Sequence, residues 1–385
     1  MQDNKKKQKA KNKGQWISIL IFLLIGAACG VLIMLYLKQP GNGGADKADR
    51  PLSFLVMLLV VYAAMLIQII LHEAGHLLFG LLTGYRFCSF RIFNLMWVKA
   101  DGRVQFRKLS IAGTGGQCLM DPPDLKDGKM PVMLYNFGGA IVNLVTAVIC
   151  AGLSFLVPFR SLAWTILMIF AVIGLAFALM NGLPCRMGPV NNDGKNALEL
   201  SRSEEATRAF WVQMKVNERI SEGIRVKDMP DEWFTVPSDE SMKNGITSTV
   251  GVLACGRLVD QHKFEEAEAL MNRLLSRENG IVGLYRNLMT CDRMYIEMIS
   301  ENRQEVLDRM RTKDQLKIMK AMRKYPSVLR TEYAYALLAE KDPGKAEKTL
   351  AQFDKCAKSY PYPGEIEGER ELIALAREKE SQQEA

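Results

Sequence analysis

Two of the three histidines in this 385-residue chain stand four apart, in Leu71-His72-Glu73-Ala74-Gly75-His76. On a helix, residues i and i+4 share a face, so this spacing aims two imidazoles at one point and sets Glu73 beside it. Two neutral imidazoles facing one ion, with a carboxylate next to the water that the ion activates, are the working parts of a zinc hydrolase. The competing reading is a helix interface packed with two histidines and a glutamate, which would bury three polar groups with poor pairing. The H-E-x-x-H pattern also arises by chance, so its surroundings must decide.

Two imidazoles leave a zinc ion under-coordinated. A third ligand is expected from Asn192-Asp193-Gly194, which follows the helix terminator Asn181-Gly182-Leu183-Pro184 after a short loop. Asp193 is the first acidic residue after Asp127, and Gly194 permits the tight turn that would aim its carboxylate inward. The alternative for Asn192 or Asp193 is to cap a helix over Lys195 to Ser201. Glu199 is the fallback ligand.

The elements that carry these residues are apolar. Trp16 to Leu37 is an uncharged run of 22 residues, about 33 Å as a helix, enough to cross a hydrocarbon core of roughly 30 Å. It is longer than the apolar region of a signal peptide and has no clean cleavage site after Cys29, so an uncleaved helix is expected. Helices are predicted over about 16–37, 52–84, 130–159 and 161–180, making a membrane domain over 15–196 after a basic tail at 1–14. His72, Glu73 and His76 fall inside the second, where ionisable groups are costly and mark function. Arg86, ten positions beyond His76, is the next charge, so the motif should sit about 15 Å below the membrane surface.

Charge sets the expected sidedness. Residues 1–194 hold 19 Lys and Arg against 9 Asp and Glu; the remainder holds 31 against 33. The excess lies in the lysine-rich tail and in the segment Arg86 to Lys129, beside apolar runs, which points to a cytoplasmic face and anionic lipid rather than to nucleic acid. With four crossings, both termini are expected in the cytoplasm, with Gln39 to Arg50 and Pro158 to Arg160 outside. The eight scattered cysteines include no CxxC pair, so neither a disulfide framework nor a Cys-rich zinc site is expected.

Residues 86–129 read as a small β-hairpin insertion, with Phe90 to Val98 and Arg103 to Ile111 joined at Asp101-Gly102 and another bend at Gly113 to Gly116. That glycine cluster lacks a following Gly-Lys-Ser/Thr, which excludes a phosphate loop. Cys118 and Met120 are conceivable soft ligands, but sulfur has little claim on this site. Gly138 and Gly139 would let another helix approach closely, and Asn143 offers hydrogen bonds in a dry setting, although plain helix packing explains both equally.

Taken together, His72, Glu73, His76, Phe137-Gly138-Gly139-Ala140-Ile141-Val142-Asn143, Asn181, Pro184 and Asp193-Gly194 resemble the site-2 protease family of intramembrane zinc metalloproteases over about residues 52–200. The chain departs from that family's pattern where Gly182 replaces a proline, where the loop from Pro184 to Asp193 is long, and where Asn192 replaces a leucine. The resemblance implies Zn2+ held by His72, His76 and Asp193, Glu73 as the catalytic base, and a membrane-associated β region whose edge takes substrate in extended form. Asn143, Asn181 and Pro184 are candidate substrate-binding positions.

Residues 197–385 read as a cytoplasmic helical domain broken near Asn279-Gly280, Tyr325-Pro326, Asp342-Pro343 and Pro361 to Gly364. Ala254, Cys255 and Leu258 before a turn at Gln261 to Lys263, then Ala267, Met271 and Leu274, are spaced much like a tetratricopeptide repeat, and the spacing recurs from Ala334 to Phe353. A generic helical bundle is the alternative. The expected fold is therefore an all-α polytopic membrane protein with four transmembrane helices, a β-hairpin insertion and a repeat-like C-terminal domain. The expected function is intramembrane endopeptidase action on membrane-embedded or membrane-proximal proteins, the helical domain recruiting a cytoplasmic partner. The alternative is a catalytically silent membrane scaffold. A transporter would need more polar residues in its spans than this chain has.

Overall fold

A computed structural model describes residues 2–38, 50–100, 102–109, 115–187 and 190–384. Residues 39–49 of the expected linker and 113–114 of the expected bend lie outside the described residues, as does Asp101. The described chain forms two compact units, one of residues 1–92 and 113–204 and the other of 93–112 and 205–385.

The first unit is built on α1 (Gln2–Leu37), α2 (Arg50–Leu82), α3 (Val132–Ser154) and α4 (Leu162–Gly182). Each contains a stretch long and apolar enough to cross a membrane. In α1 that stretch is Ile19–Leu37, yet the helix runs back to Gln2, because Lys, Gln and Ala are good helix formers and nothing in the tail breaks them. α2 ends at Leu82, two residues before its expected end, where Gly84 takes a φ of +90° that favours glycine. α3 stops at Ser154, short of the expected 159, because Pro158 disfavours helical backbone just before it. Ser161 then caps α4, its hydroxyl accepting from the Trp164 amide at 3.1 Å.

Cys29, Leu32 and Ile33 of α1, Met57 and Ala64 of α2, and Ile169 and Ile173 of α4 form one buried cluster. Leu59, Tyr62 and Val148 leave more than half their surface outside, giving these helices the apolar exterior that lipid accepts. Two short strands, β1 (Arg86–Ile92) and β4 (Gly116–Asp121), pair antiparallel from Arg86↔Asp121 to Ile92↔Gly116.

The expected hairpin across Gly102 is present, but its first strand begins at Leu95 and not at Phe90. Phe90 belongs to β1 and pairs with Cys118, whereas β2 (Leu95–Ala100) pairs with β3 (Arg103–Lys108) in the second unit. Phe93, with φ +52°, breaks the strand between them. Met96 and Val98 of β2 are buried against Val212, Val216 and Ile220 of α6 (Glu204–Ser221). Residues 93–112 therefore cluster with the helical half and not with the membrane half to which the sequence reading joined them.

The second unit continues as α7 (Gly245–Asp260), α8 (Phe264–Ser276), α9 (Gly283–Ile299), α10 (Gln304–Met310), α11 (Lys313–Ala321), α12 (Pro326–Ala334, extended by a π turn to Ala339), α13 (Pro343–Ala357) and α14 (Pro363–Glu384). The sequence-predicted breaks coincide with helix boundaries. Three of the turns share a device: His262, Asn302 and Lys341, each two residues before a helix start, have φ of 57°, 53° and 52°. Left-handed backbone costs a non-glycine residue about 1 kcal/mol. Replacing the exposed Lys341 by glycine should therefore raise the thermal midpoint of the full-length protein, followed by circular dichroism, by a degree or two, and Lys341→Val should lower it. Equal midpoints for the two variants would show that the turn does not hold this backbone.

Candidate metal site

His72 and His76 project from one face of α2, and their Nε2 atoms lie 3.2 Å apart. Asp193, the first residue of α5 (Asp193–Arg202), reaches both: its Oδ2 is 3.1 Å from His72 Nε2 and 3.5 Å from His76 Nε2. The groups behind the two rings decide which nitrogen each presents. His76 Nδ1 is 2.8 Å from the Tyr135 carbonyl, which can only accept, so Nδ1 carries a proton.

The same logic fixes His72. The Asn143 amide nitrogen donates to the Gln68 carbonyl at 2.9 Å and to Gln68 Oε1 at 2.6 Å, which turns Asn143 Oδ1 toward His72 Nδ1 at 2.8 Å. Both neutral rings thus hold their proton on the far nitrogen and present Nε2 as a lone pair. Two lone pairs and a carboxylate oxygen converge in this tautomer, an arrangement suited to a cation. A tetrahedral ion with bonds of ~2.0–2.1 Å keeps its donors about 3.3 Å apart, within the spacing found here. The three residues could hold a metal ion.

Close backbone approach makes the triangle possible. A Cβ on Gly75 would fall 2.3 Å from the Gly138 carbonyl oxygen, so α2 and α3 meet at a contact only glycine allows. A Cβ on Gly139 would lie 2.5 Å from the His72 ring. At the third corner, Asn192 is the cap and Asp193 is released to face the histidines. The Asn192 side chain accepts from the Lys195 amide at 3.0 Å and the Cys185 amide at 3.0 Å, and donates to the carbonyls of Met180 at 2.7 Å and Leu183 at 2.6 Å. It staples the end of α4 to the start of α5. Gly194 completes the fit, since a Cβ there would lie 2.1 Å from the Gly182 carbonyl oxygen.

Glu73 is buried beside the triangle, on the side of β4: a Cβ on Gly116 would fall 2.5 Å from Glu73 Oε1. Cys118 and Met120 of β4 stand outside the ligand group, the Met120 sulfur lying against Gly80. Glu199 is also outside it, engaged by Lys195 at 2.8 Å and Asn191 at 2.8 Å. Asn143 has no accessible surface and acts behind the His72 ring. The Asn181 amide turns back to the Phe177 carbonyl at 3.1 Å, and Pro184 is exposed.

Sequence reasoning missed Gln68, Asn192 as a staple and Gly116. Gln68 could have been found as a polar residue four before His72 in an otherwise apolar span. No protein-family model, curated protein or solved structure matches this chain.

Three glycines separate the parts of the site. Gly139→Ala drives a methyl into the His72 ring and Gly194→Ala pushes Asp193 away, so both should lower tightly bound metal per chain, measured by elemental mass spectrometry, at least several-fold. Gly116→Ala displaces only the flexible end of Glu73 and should retain wild-type metal content. Loss of metal in Gly116→Ala alone would refute this division.

Proposed function

We propose that this chain is an intramembrane zinc metalloendopeptidase of the site-2 protease type, acting on membrane-embedded or membrane-proximal protein segments. One observation carries the reading: two imidazole lone pairs and a carboxylate converge next to Glu73 inside a helix otherwise apolar enough to cross a membrane. A buried set of this kind is costly without a cation, and structural packing offers no reason to keep it. The donor set suits zinc, two imidazoles and one carboxylate leaving a position open for chemistry.

Zinc, when bound, supplies a Lewis acid that polarises a peptide carbonyl and makes a water acidic near neutral pH. Glu73 accepts the proton of the attacking water and delivers it to the nitrogen of the breaking C–N bond, so that water and peptide become a carboxylate and an amine. Asn143 and the Tyr135 carbonyl hold the two rings in the tautomer that keeps Nε2 available, and Asn192 holds Asp193 in place. A helical substrate has its amides tied up in hydrogen bonds and must unwind first. β4, beside Glu73, is suited to take the extended segment by strand addition. Asn181 and Pro184, in the last turn of α4 and the loop beyond it, are the further substrate contacts in this reading.

The helical unit is proposed to select partners. The recurring left-handed turns before α8, α10 and α13 support a repeat architecture, whose concave face recruits a protein segment. Its side of the membrane follows from the lysine-rich tail, which puts both termini in the cytoplasm.

Glu73→Gln should keep metal content and lose at least a thousandfold in cleavage of a model transmembrane peptide, and Gly116→Ala should lose about a hundredfold through misplacement of the same carboxylate. Wild-type cleavage by Glu73→Gln would remove the hydrolase reading. For topology, single cysteines at positions 45 and 160 should react with an impermeant maleimide in intact cells, and those at 5 and 370 should not. A labelled position 370 would remove the four-crossing assignment.

A further inference from the structure

The second unit contains an open cavity of about 340 Å³ lined by α6, α7, α9, α12 and α14. Its walls are apolar through Val252, Leu288 and Leu372, and Tyr285, Tyr325 and Tyr360 bring aromatic rings to it. Its polar lining is one-sided in charge: Asp260, Asp292, Glu365 and Glu369 against Arg225.

The guanidinium groups nearby are already shared. Arg225 bonds Asp260 at 3.1 Å and Glu371 at 2.8 Å. Arg330, fully buried behind the lining, bonds Asp292 at 2.6 Å and Glu369 at 2.9 Å. Each cation therefore answers two carboxylates. Glu365 differs, since its Oε2 accepts from the neutral Tyr360 hydroxyl at 2.8 Å and it makes no ion pair among the described residues. Burial pushes its carboxyl up to about 7, as expected for an acid held in an apolar wall without a counter-charge.

We propose that this cavity is a binding site for an organic cation with an apolar body, the ammonium or guanidinium group set against Glu365 and the body against the aliphatic wall. Volume, wall chemistry and charge all select for this class. A space of about 340 Å³ suits a ligand of small-molecule size or one long side chain with its neighbours. An anion would meet four carboxylates, and a neutral apolar ligand would leave Glu365 without a counter-charge. The tyrosine rings add attraction for a cation and none for an anion. The inference does not depend on the hydrolase reading, because no residue of the His72 site takes part. The same chemistry is available from a free amine or from a lysine or arginine flanked by apolar residues in a protein.

Calorimetric titration of the full-length protein in nanodiscs, with empty nanodiscs as control, tests it. The probes are 4-phenylbutylamine, its anionic counterpart 4-phenylbutyrate, and the blocked peptide acetyl-Leu-Leu-Arg-Leu-Leu-amide. The amine or the peptide should bind, the tighter of the two naming the source, and the butyrate should not. Glu365→Gln keeps the hydrogen bond from Tyr360 and removes the charge, so it should weaken cation binding at least tenfold. Gly256→Phe is the second variant: Gly256 lines the cavity, and a Cβ there meets nothing within 4 Å, so the ring can enter the space without disturbing α7. It should abolish binding with an unchanged helical circular dichroism spectrum. Butyrate binding as tight as the amine, no saturable binding of either cation, or cation binding that survives both substitutions would overturn the proposal.

Discussion

Three electron-pair donors from distant parts of the chain are forced together at the His72 site, and most of the first unit serves to keep them there. Two imidazole nitrogens and a carboxylate oxygen within 3.1–3.5 Å have no intrinsic attraction once both rings carry their protons on the opposite nitrogen. Their convergence is held by what lies behind them. A chain of fully buried amides, Gln68 to Asn143 to His72, sets one ring, and the Tyr135 carbonyl sets the other. In an apolar surrounding each of these bonds is expensive to break, because no water replaces the lost partner.

Such a centre needs backbones closer than side chains normally permit. Hydrophobic burial gives little preference between one helix packing and another in lipid, so small residues at the contact decide which faces meet. Gly75 against Gly138 brings α3 near enough for Asn143 and Tyr135 to reach the α2 histidines, and Gly182 against Gly194 does the same for α5. The histidine motif and the glycine pairs are therefore one design. The first supplies donors, and the second supplies the distance at which they act together.

The second unit solves its polar problem differently. Arg330 and Arg225 are buried among carboxylates, each shared between two acids, so every buried cation is paired. Glu365 is left over at the wall of a cavity.

Much of this was legible in the chain itself. His72, Glu73 and His76 are fixed on one helix face by a local period of 3.6 residues, and the four apolar runs are long enough to be read without knowing their neighbours. Helix starts at Pro326, Pro343 and Pro363 follow from proline's missing amide hydrogen and fixed φ, both of which suit the first turn. What no local rule could decide was every relation between segments. Whether Asp193 caps a helix or faces the histidines depended on Asn192 taking the cap, and that depended on the carbonyls of Met180 and Leu183, which only the packed end of α4 presents. The pairing of β1 with β4 was hidden for the same reason. Strand propensity belongs to each residue, but pairing belongs to the partner, and the partner of Phe90 lies 28 residues away at Cys118.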